Sequence, residues 1–449
     1  MLHKKEVPRD PVWYPFTQMQ EFAGQSPLKI AAAQGCWLED EQGRRYLDGV
    51  SSLWANLHGH RHPLIDRAIK EQMGRVAHTT MLGLSHRGGI ELARELVRMT
   101  PEGLTRVFYS DSGATAVEIA LKMAYQYWQL KGEKQRYRFL KLAEAYHGDT
   151  IGAVSLGGMD LFHERFDRLL FDTIKVPTPH LYRHPFTVGD EKEIVERYVA
   201  LSEDLIKKHA EEACAFIIEP LIQGAAGMIV HPPGYLKHIR DLTRKHNMLL
   251  IADEVAVGFG RTGKMFASDW EEVSPDLLCL GKGITGGYLP LAATLATEKI
   301  YSAFLGDFKE LKTFFHGHTY TGNPLACAAA LASLEVFAEE KTLDASVFGP
   351  KAQRYSEGMA RLARLEHVGS VRYRGLMGGV ELVNDKKTKE PYPFDRRIGY
   401  QVILEARKGG VMLRPLGDVI VLMPPLAVSL DELDLLFAAT EEAIRQVTE

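Results

Sequence analysis

A short apolar run that ends in a lysine between two glycines is the feature that most constrains how this chain folds. Leu277–Leu280 is followed by Gly281, Lys282 and Gly283. If the run is a buried strand, the amine at its end loses water, which disfavours the ammonium form and leaves a nucleophile able to form a Schiff base. The glycines would let a planar ligand approach the backbone. A lone lysine is far more often a solvated surface charge, so the interpretation depends on its surroundings.

A second apolar run, Met248–Ala252, ends in two adjacent acids, Asp253 and Glu254. Successive strand residues face opposite sides, so only one of the two can face a given ligand. A buried carboxylate keeps the ring nitrogen of pyridoxal phosphate (PLP) protonated, as this cofactor requires to act as an electron sink. Asp253 suits that role, although two acids here could also cap the next segment. The combination with Lys282 favours a PLP site.

A third segment predicts a phosphate site. Val107–Ser110 has the character of a strand, and a tight turn then leads into a helix that runs through Trp128. The start of a helix offers unpaired N–H groups and the positive end of a dipole, so Ser112, Gly113 and Ala114 could hold a phosphate. Serine and glycine are also ordinary residues at helix starts, so this signal is weak alone.

Together these segments resemble the class III aminotransferases of PLP fold type I, over nearly the whole chain. That resemblance implies an α/β protein with a mostly parallel central sheet in a large PLP-binding domain, residues 65–330. A smaller α+β domain would come from both termini, residues 1–64 and 331–449. Strands that alternate with helices across the large domain also predict a parallel-dominated sheet. The motifs that carry the resemblance are Ser112-Gly113-Ala114, Tyr146-His147-Gly148, Glu219 to Gly224, Asp253-Glu254-Val255, Gly258 to Gly263 and Gly281-Lys282-Gly283.

The resemblance also implies a role for each matching residue. Lys282 would bind PLP covalently and carry the proton between the substrate carbon and the cofactor. Asp253 would pair with the pyridinium nitrogen, and Tyr146 would stack on the ring. Thr319 matches a threonine that reaches the phosphate of the neighbouring subunit's cofactor. The expected assembly is therefore a homodimer whose active sites are shared between subunits.

A further set of motifs resembles the members of the class that aminate 8-amino-7-oxononanoate to 7,8-diaminononanoate in biotin biosynthesis. In that group, the arginine matching Arg414 binds the far carboxylate of the substrate, which suits a planar guanidinium. Trp54 would line the channel for the methylene chain. The motifs are Trp13 to Thr17, Ser51 to Trp54, His316 to Thr319 and Arg414 to Gly417. The expected substrate-binding residues are Phe16, Trp54, Tyr146, Lys282, Gly317 and Arg414.

The amino donor is left open between two compounds. Members that use S-adenosylmethionine carry a tyrosine where this chain has Phe16, and a second tryptophan where it has Leu53. Phenylalanine lacks the hydroxyl that could hydrogen-bond a polar donor, so the sequence favours L-lysine. The alternative functions are another class III aminotransferase acting on an ω-amino acid or diamine, and a PLP-binding regulator or scaffold without catalysis.

Composition and weaker motifs narrow the choice further. The net charge of −4 provides no basic field for nucleic acid. Gly258, Gly260 and Gly263 match a dinucleotide-binding pattern, but they follow the acidic pair and no adequate helix is predicted after them. The histidines near residues 58–62 and 316–318 lack acidic partners at ligand spacing, so we expect no metal.

Four cysteines complete the sequence-based expectations. They lack metal-binding spacing and mostly lie in apolar runs, which predicts reduced core residues of a cytosolic protein. No apolar stretch approaches membrane-spanning length, and no secretory segment is evident, so a soluble cytoplasmic protein is expected. The cysteines are Cys36, Cys214, Cys279 and Cys327.

Overall fold

The computed structural model describes residues 11–22, 27–159, 164–187 and 190–449. In chain order the strands are β1 (Ile30–Gln34), β2 (Trp37–Asp40), β3 (Arg45–Asp48), β4 (Leu104–Ser110), β5 (Arg138–Leu142), β6 (Ile174–Val176), β7 (Ala213–Ile218), β8 (Ile222–Gln223), β9 (Ile229–Val230), β10 (Leu249–Asp253), β11 (Leu277–Leu280), β12 (Ala292–Thr297), β13 (Val368–Arg374), β14 (Met377–Leu382), β15 (Val411–Met412), β16 (Arg414–Leu416) and β17 (Val419–Leu422).

The α-helices are α1 (Met19–Phe22), α2 (Ser51–Trp54), α3 (Pro63–Met73), α4 (Arg87–Met99), α5 (Gly113–Leu130), α6 (Ile151–Leu156), α7 (Glu191–His209), α8 (Tyr235–Lys245), α9 (Glu298–Ala303), α10 (Pro324–Glu339), α11 (Ala345–Leu362), α12 (Ile398–Lys408) and α13 (Leu430–Thr448). Short 3-10 helices cover Glu164–Leu169, Ala267–Trp270, Lys282–Thr285, Phe308–Glu310 and Phe394–Arg396.

A seven-stranded sheet forms the centre of the molecule, in the order β4-β12-β11-β10-β7-β5-β6. Its strands run parallel except β12, which is antiparallel to both of its neighbours. The carboxyl ends of the six parallel strands therefore meet at one edge of the sheet, where open α/β sheets bind their ligands. The predicted α/β fold with a mostly parallel sheet is confirmed.

Helices cover both faces of this sheet because its central strands are apolar on both sides. In β10, Leu249 and Ile251 pack with the buried face of α5, whereas Leu250 packs with the buried face of α8. That alternation is the period of a strand, and a strand buried on both faces has no polar positions in its interior. The polar residues of β10 are accordingly confined to its end.

Strands from both termini combine in two smaller sheets. In the sheet β1-β2-β3-β15, the C-terminal strand β15 lies parallel to β3, with Val411 opposite Leu47. The sheet β13-β14-β17-β16 is built from C-terminal residues alone. The N-terminal segment thus joins C-terminal strands. The domain boundaries at residues 64 and 330 stay a prediction.

Several expectations about individual residues are tested here. The four cysteines are buried and free, as predicted. The segment Gly258 to Gly263 forms turns and is followed by a 3-10 helix rather than an α-helix, which confirms that it is not a dinucleotide-binding turn. Within the described ranges, no cluster of side chains could hold a metal ion, and no helix is both long and apolar enough to cross a membrane.

A buried ion pair ties α8 to the central sheet and provides a test of the fold. Arg240 Nη1 donates to Asp276 Oδ2 at 2.6 Å, and the same oxygen accepts the Leu250 amide at 2.9 Å. Asp276→Ala would leave a buried guanidinium unpaired, so we expect the free energy of unfolding in urea to fall by about 3–5 kcal/mol. The control Asp241→Ala, at an exposed position of α8, should change it by less than about 0.5 kcal/mol. Equal effects of both substitutions would contradict the prediction.

Candidate active site

Five strands of the central sheet deliver polar side chains to the same edge. Ser112 follows β4, Tyr146 follows β5, Glu219 follows β7, Asp253 ends β10, and Lys282 follows β11. Because these strands are parallel, residues that are far apart in sequence meet in space. This convergence defines the candidate site.

Lys282 lies at the first position of the 3-10 helix that follows β11. Its backbone has a φ of 41°, in the left-handed region that non-glycine residues rarely adopt. Its Nζ lies 4.6 Å from the centre of the Trp54 ring. Burial lowers the pKa of the Lys282 amine, and Arg261 acts in the same direction, while Asp253 and Glu219 oppose the change. The predicted amine of reduced pKa at the end of a buried strand is therefore present.

Asp253 is buried and both of its carboxylate oxygens are held. Oδ2 lies 2.7 Å from His147 Nδ1, and Oδ1 accepts the Val255 amide at 3.0 Å. His147 is itself buried, and its Nε2 has no hydrogen-bond partner among the described residues. Sequence analysis quoted His147 only as part of a motif. A histidine preceding a glycine in a loop gives no sign of which carboxylate it will meet.

The start of α5 forms a compact turn beside Lys282. Ser112 Oγ accepts the Thr115 amide at 3.3 Å, and Thr115 Oγ1 accepts the Ser112 amide at 3.1 Å. The first amides of a helix have no intrahelical acceptor and lie at the positive end of its dipole. A Cβ added at Gly113 would lie 2.4 Å from Val255 Cγ1, and one at Gly281 would lie 3.3 Å from Gly113 Cα. The candidate phosphate site and the lysine turn are thus in direct contact.

Glu219 joins two loops of the site, a role the sequence did not reveal. Its Oε1 accepts the amide of Tyr146 at 3.1 Å, and its Oε2 accepts the amide of Gly224 at 2.9 Å. Burial raises the pKa of Glu219 to about 7, with Asp253 adding to the increase and His147 opposing it. The hydroxyl of Tyr146 donates to Asp149 Oδ2 at 2.8 Å. The Tyr146 side chain is partly buried at the site.

Trp54 is buried at the end of an irregular turn in which Ser51, Ser52 and Trp54 all have positive φ. It belongs to an apolar cluster that also includes Val421, with Tyr146 packed against it. Its indole Nε1 is buried without a hydrogen-bond partner among the described residues. The structure therefore brings Trp54, Tyr146 and Lys282 together, as the sequence-based assignment requires.

Arg414 lies at the start of β16, opposite Val421 of β17, and its side chain is exposed. Because Val421 belongs to the apolar cluster around Trp54, Arg414 is one strand away from that cluster. A charge one strand away from the cluster can contact the far end of an elongated ligand. Its predicted role as a carboxylate anchor stays a prediction.

Three other predicted residues are exposed in this single chain. Gly317 and Thr319 line a surface groove of about 1600 Å³ that also includes Phe108 and Tyr109. Phe16 is 61% exposed. Their roles stay predictions.

A parallel sheet with a lysine after one strand and a buried acid at the end of its neighbour fits an aminotransferase, and comparison with known proteins identifies the class. A family model, "Aminotransferase class-III", matches residues 19–444. The chain therefore belongs to the class III aminotransferases.

Individual relatives are similar over nearly the full length. Two are called adenosylmethionine-8-amino-7-oxononanoate aminotransferase. The one from Nitratidesulfovibrio vulgaris is 56% identical, over 98% of this chain and 81% of its own. The one from Methanocaldococcus jannaschii is 48% identical, over 97% and 96%. Among solved structures, an enzyme of the same name from M. jannaschii has a TM-score of 0.92 at 46% identity, covering 98% of this chain and 97% of its own. An amine transaminase from an uncultivated Pseudomonas species, in its PLP-bound form, has a TM-score of 0.92 at 38% identity, covering 98% and 99%.

His231 follows the hairpin of β8 and β9, and its burial predicts how the stability of the protein depends on pH. Burial lowers the pKa of His231 to about 3 from an ordinary value of 6.5. A neutral folded-state histidine contributes stability above pH 6.5, and that contribution is lost as the pH falls towards 3. Between pH 7 and pH 5 the loss from this one group is about 2 kcal/mol.

We therefore expect His231→Gln to reduce the difference in unfolding free energy between pH 7 and pH 5 by about 2 kcal/mol. Urea unfolding at both pH values measures it. Any hydrogen bond lost with the imidazole, such as that to Gln223, affects both measurements and cancels in the difference. His78→Gln, at a position exposed in the single chain, controls for the loss of a histidine outside the core. An unchanged difference in His231→Gln would refute the assignment.

Proposed function

We propose that this protein is a PLP-dependent aminotransferase that converts 8-amino-7-oxononanoate to 7,8-diaminononanoate in biotin biosynthesis. The observation that carries the proposal is the Lys282 amine of lowered pKa beside the buried pair of Asp253 and His147. The names of the relatives support the choice of substrate. The cytoplasmic location expected from the sequence stays a prediction.

The residues of the site fit PLP. Lys282 offers an amine for covalent attachment, and Asp253 offers a buried carboxylate for the ring nitrogen. The start of α5 offers amides for the phosphate, from Ser112, Gly113 and Ala114. Two buried nitrogens, Trp54 Nε1 and His147 Nε2, lack partners among the described residues, which is consistent with a polar ligand nearby. Tyr146 offers an aromatic face.

The roles of the side chains follow from their surroundings. When bound, PLP supplies an electron sink for the electrons of a broken C–H bond. Burial lowers the pKa of Lys282 Nζ, which suits this amine to accept a proton and return it. Asp253, at the end of β10, would offer its carboxylate to the ring nitrogen. Trp54 and its apolar cluster exclude water from the amine.

The proposed substrate has an apolar chain between its reacting end and a carboxylate. The cluster around Trp54 suits the methylene groups, and Arg414 is one strand beyond it. A guanidinium can bind a carboxylate through two parallel hydrogen bonds. We assign Arg414 as the carboxylate anchor.

We propose that the protein acts as a homodimer with shared active sites. The groove that contains Gly317 and Thr319 has exposed apolar neighbours, among them Leu82 at 88% exposure and Phe315 at 73%. Large exposed apolar residues around one groove support burial by another protein surface. In the dimer, Thr319 would contact the phosphate held by the neighbouring subunit. Small molecules are the only other partners proposed.

For the amino donor, the residues and the relatives' names differ. Phe16 and Leu53 favour L-lysine, because neither side chain offers a hydrogen bond to a polar donor. The names of the relatives include adenosylmethionine. We propose L-lysine on the strength of these two residues. A second candidate function, another class III aminotransferase that acts on an ω-amino acid or diamine, is supported by the similarity to the solved amine transaminase from Pseudomonas. Family membership and the intact Lys282 and Asp253 argue against a scaffold without catalysis.

The donor half-reaction tests the proposed function. PLP-loaded protein is mixed with L-lysine or S-adenosylmethionine while the cofactor absorbance is followed, and 8-amino-7-oxononanoate is then added. We expect lysine to convert the cofactor and mass spectrometry to detect 7,8-diaminononanoate. Lys282→Ala should slow turnover by at least about 10²-fold, through loss of a positioned acid–base group.

The other results of this experiment would each refute a different part of the proposal. Conversion by S-adenosylmethionine alone would refute lysine as donor and leave the substrate assignment intact. Activity on simple ω-amines without any on 8-amino-7-oxononanoate would establish the second candidate. Full turnover by Lys282→Ala would refute the assigned site.

Arg414→Ala should impair one half-reaction more than the other. Loss of a charge-assisted carboxylate contact should lower kcat/KM for 8-amino-7-oxononanoate by about 10- to 100-fold. The donor half-reaction should stay within about twofold for a donor that reacts at its α-amino group, because its carboxylate then adjoins the reacting carbon and does not reach Arg414. Arg414→Lys keeps the charge but not the two-point geometry, and should fall between the two. Equal losses in both half-reactions would contradict the anchor.

A further inference from the structure

His147 is the buried polar side chain of the site to which no role has yet been given. It follows Tyr146 in a loop that turns back at Gly148, where φ is 123° and an added Cβ would lie 2.4 Å from the Cβ of Ala114. The loop is therefore pressed against the start of α5. This close approach fixes the position of the imidazole, whose side chain has no exposed surface.

Among the described residues the imidazole has one hydrogen-bond partner, which is the residue proposed to face the cofactor ring. His147 Nδ1 lies 2.7 Å from Asp253 Oδ2, and His147 Nε2 has no partner among the described residues. A carboxylate accepts, so Nδ1 carries the hydrogen of this bond. The Asp253 carboxylate is thus held at Oδ2 by a side chain and at Oδ1 by the Val255 amide.

We infer that His147 is a positioning residue that orients the Asp253 carboxylate towards the ring nitrogen of the cofactor through its Nδ1–H. Without this bond, one oxygen of a buried carboxylate loses its donor and the group can rotate about its side-chain bonds. A carboxylate that must meet a protonated ring nitrogen at hydrogen-bond distance loses affinity when it can rotate. This inference rests on the proposed use of PLP.

Charge supplies a second reason for a histidine at this position. Asp253 and Glu219 are both buried at this edge of the sheet, and the pKa of Glu219 is raised by burial, to which Asp253 adds. His147 opposes that increase. An apolar residue of the same size would fill the space but would leave Asp253 Oδ2 without the donor that His147 provides.

A double-mutant cycle tests whether His147 acts through Asp253. The dissociation constant of PLP is measured by absorbance titration for the unaltered protein, His147→Leu, Asp253→Asn and the double variant. We expect His147→Leu to weaken PLP binding by about tenfold when Asp253 is present, and by less than about twofold in the Asp253→Asn background. A purely structural role would give the same loss in both backgrounds, and that result would overturn the inference.

Two conservative variants extend the test if His147→Leu is poorly folded. The amide nitrogen of asparagine lies near the position of Nδ1, whereas that of glutamine lies near the position of Nε2. His147→Asn should therefore keep PLP affinity within about threefold, and His147→Gln should lose about tenfold. Retention by glutamine with loss by asparagine would overturn the inference. Failure of the unaltered protein to bind PLP would overturn the proposed function as well, so the two failures are distinguishable.

Discussion

The burial of charged groups at the end of a parallel sheet is the constraint on which the rest of the site depends. Asp253 would be costly to bury alone, and its hydrogen bonds to His147 and Val255 offset that cost. The bond to His147 depends on β5 and β10 running parallel within one sheet, so that their carboxyl ends lie at the same edge. The apolar strands thus serve two purposes: they form the core, and they deliver polar residues to one edge.

Local strain at the site is held in place by this packing. Lys282 and the turn that carries Trp54 have backbone angles that most residues avoid. Gly113 and Gly281 allow two backbones to approach where no Cβ would fit without displacement. Such an arrangement is stable only when neighbouring elements determine it. It also keeps the amine and the helix start close together, as a bound phosphate-bearing cofactor would require.

The same fold supports enzymes with different amines as substrates. Structures at a TM-score of 0.92 include an amine transaminase and an 8-amino-7-oxononanoate aminotransferase. The central sheet therefore does not distinguish between them. Substrate choice must come from residues around the edge, for which we propose Trp54, Phe16 and Arg414. Of these, Trp54 is anchored in the apolar cluster and the other two are exposed in the single chain.

The sequence alone determined the strands β10 and β11, their polar ends at Asp253 and Lys282, and the capped start of α5. It could do so because apolar runs, chain punctuation and helix capping are local properties. Only the tertiary structure decided that His147 meets Asp253 across 106 positions of sequence and that Glu219 joins the loops of Tyr146 and Gly224. Contacts of that kind depend on the order and direction of strands in the sheet, which no single segment encodes.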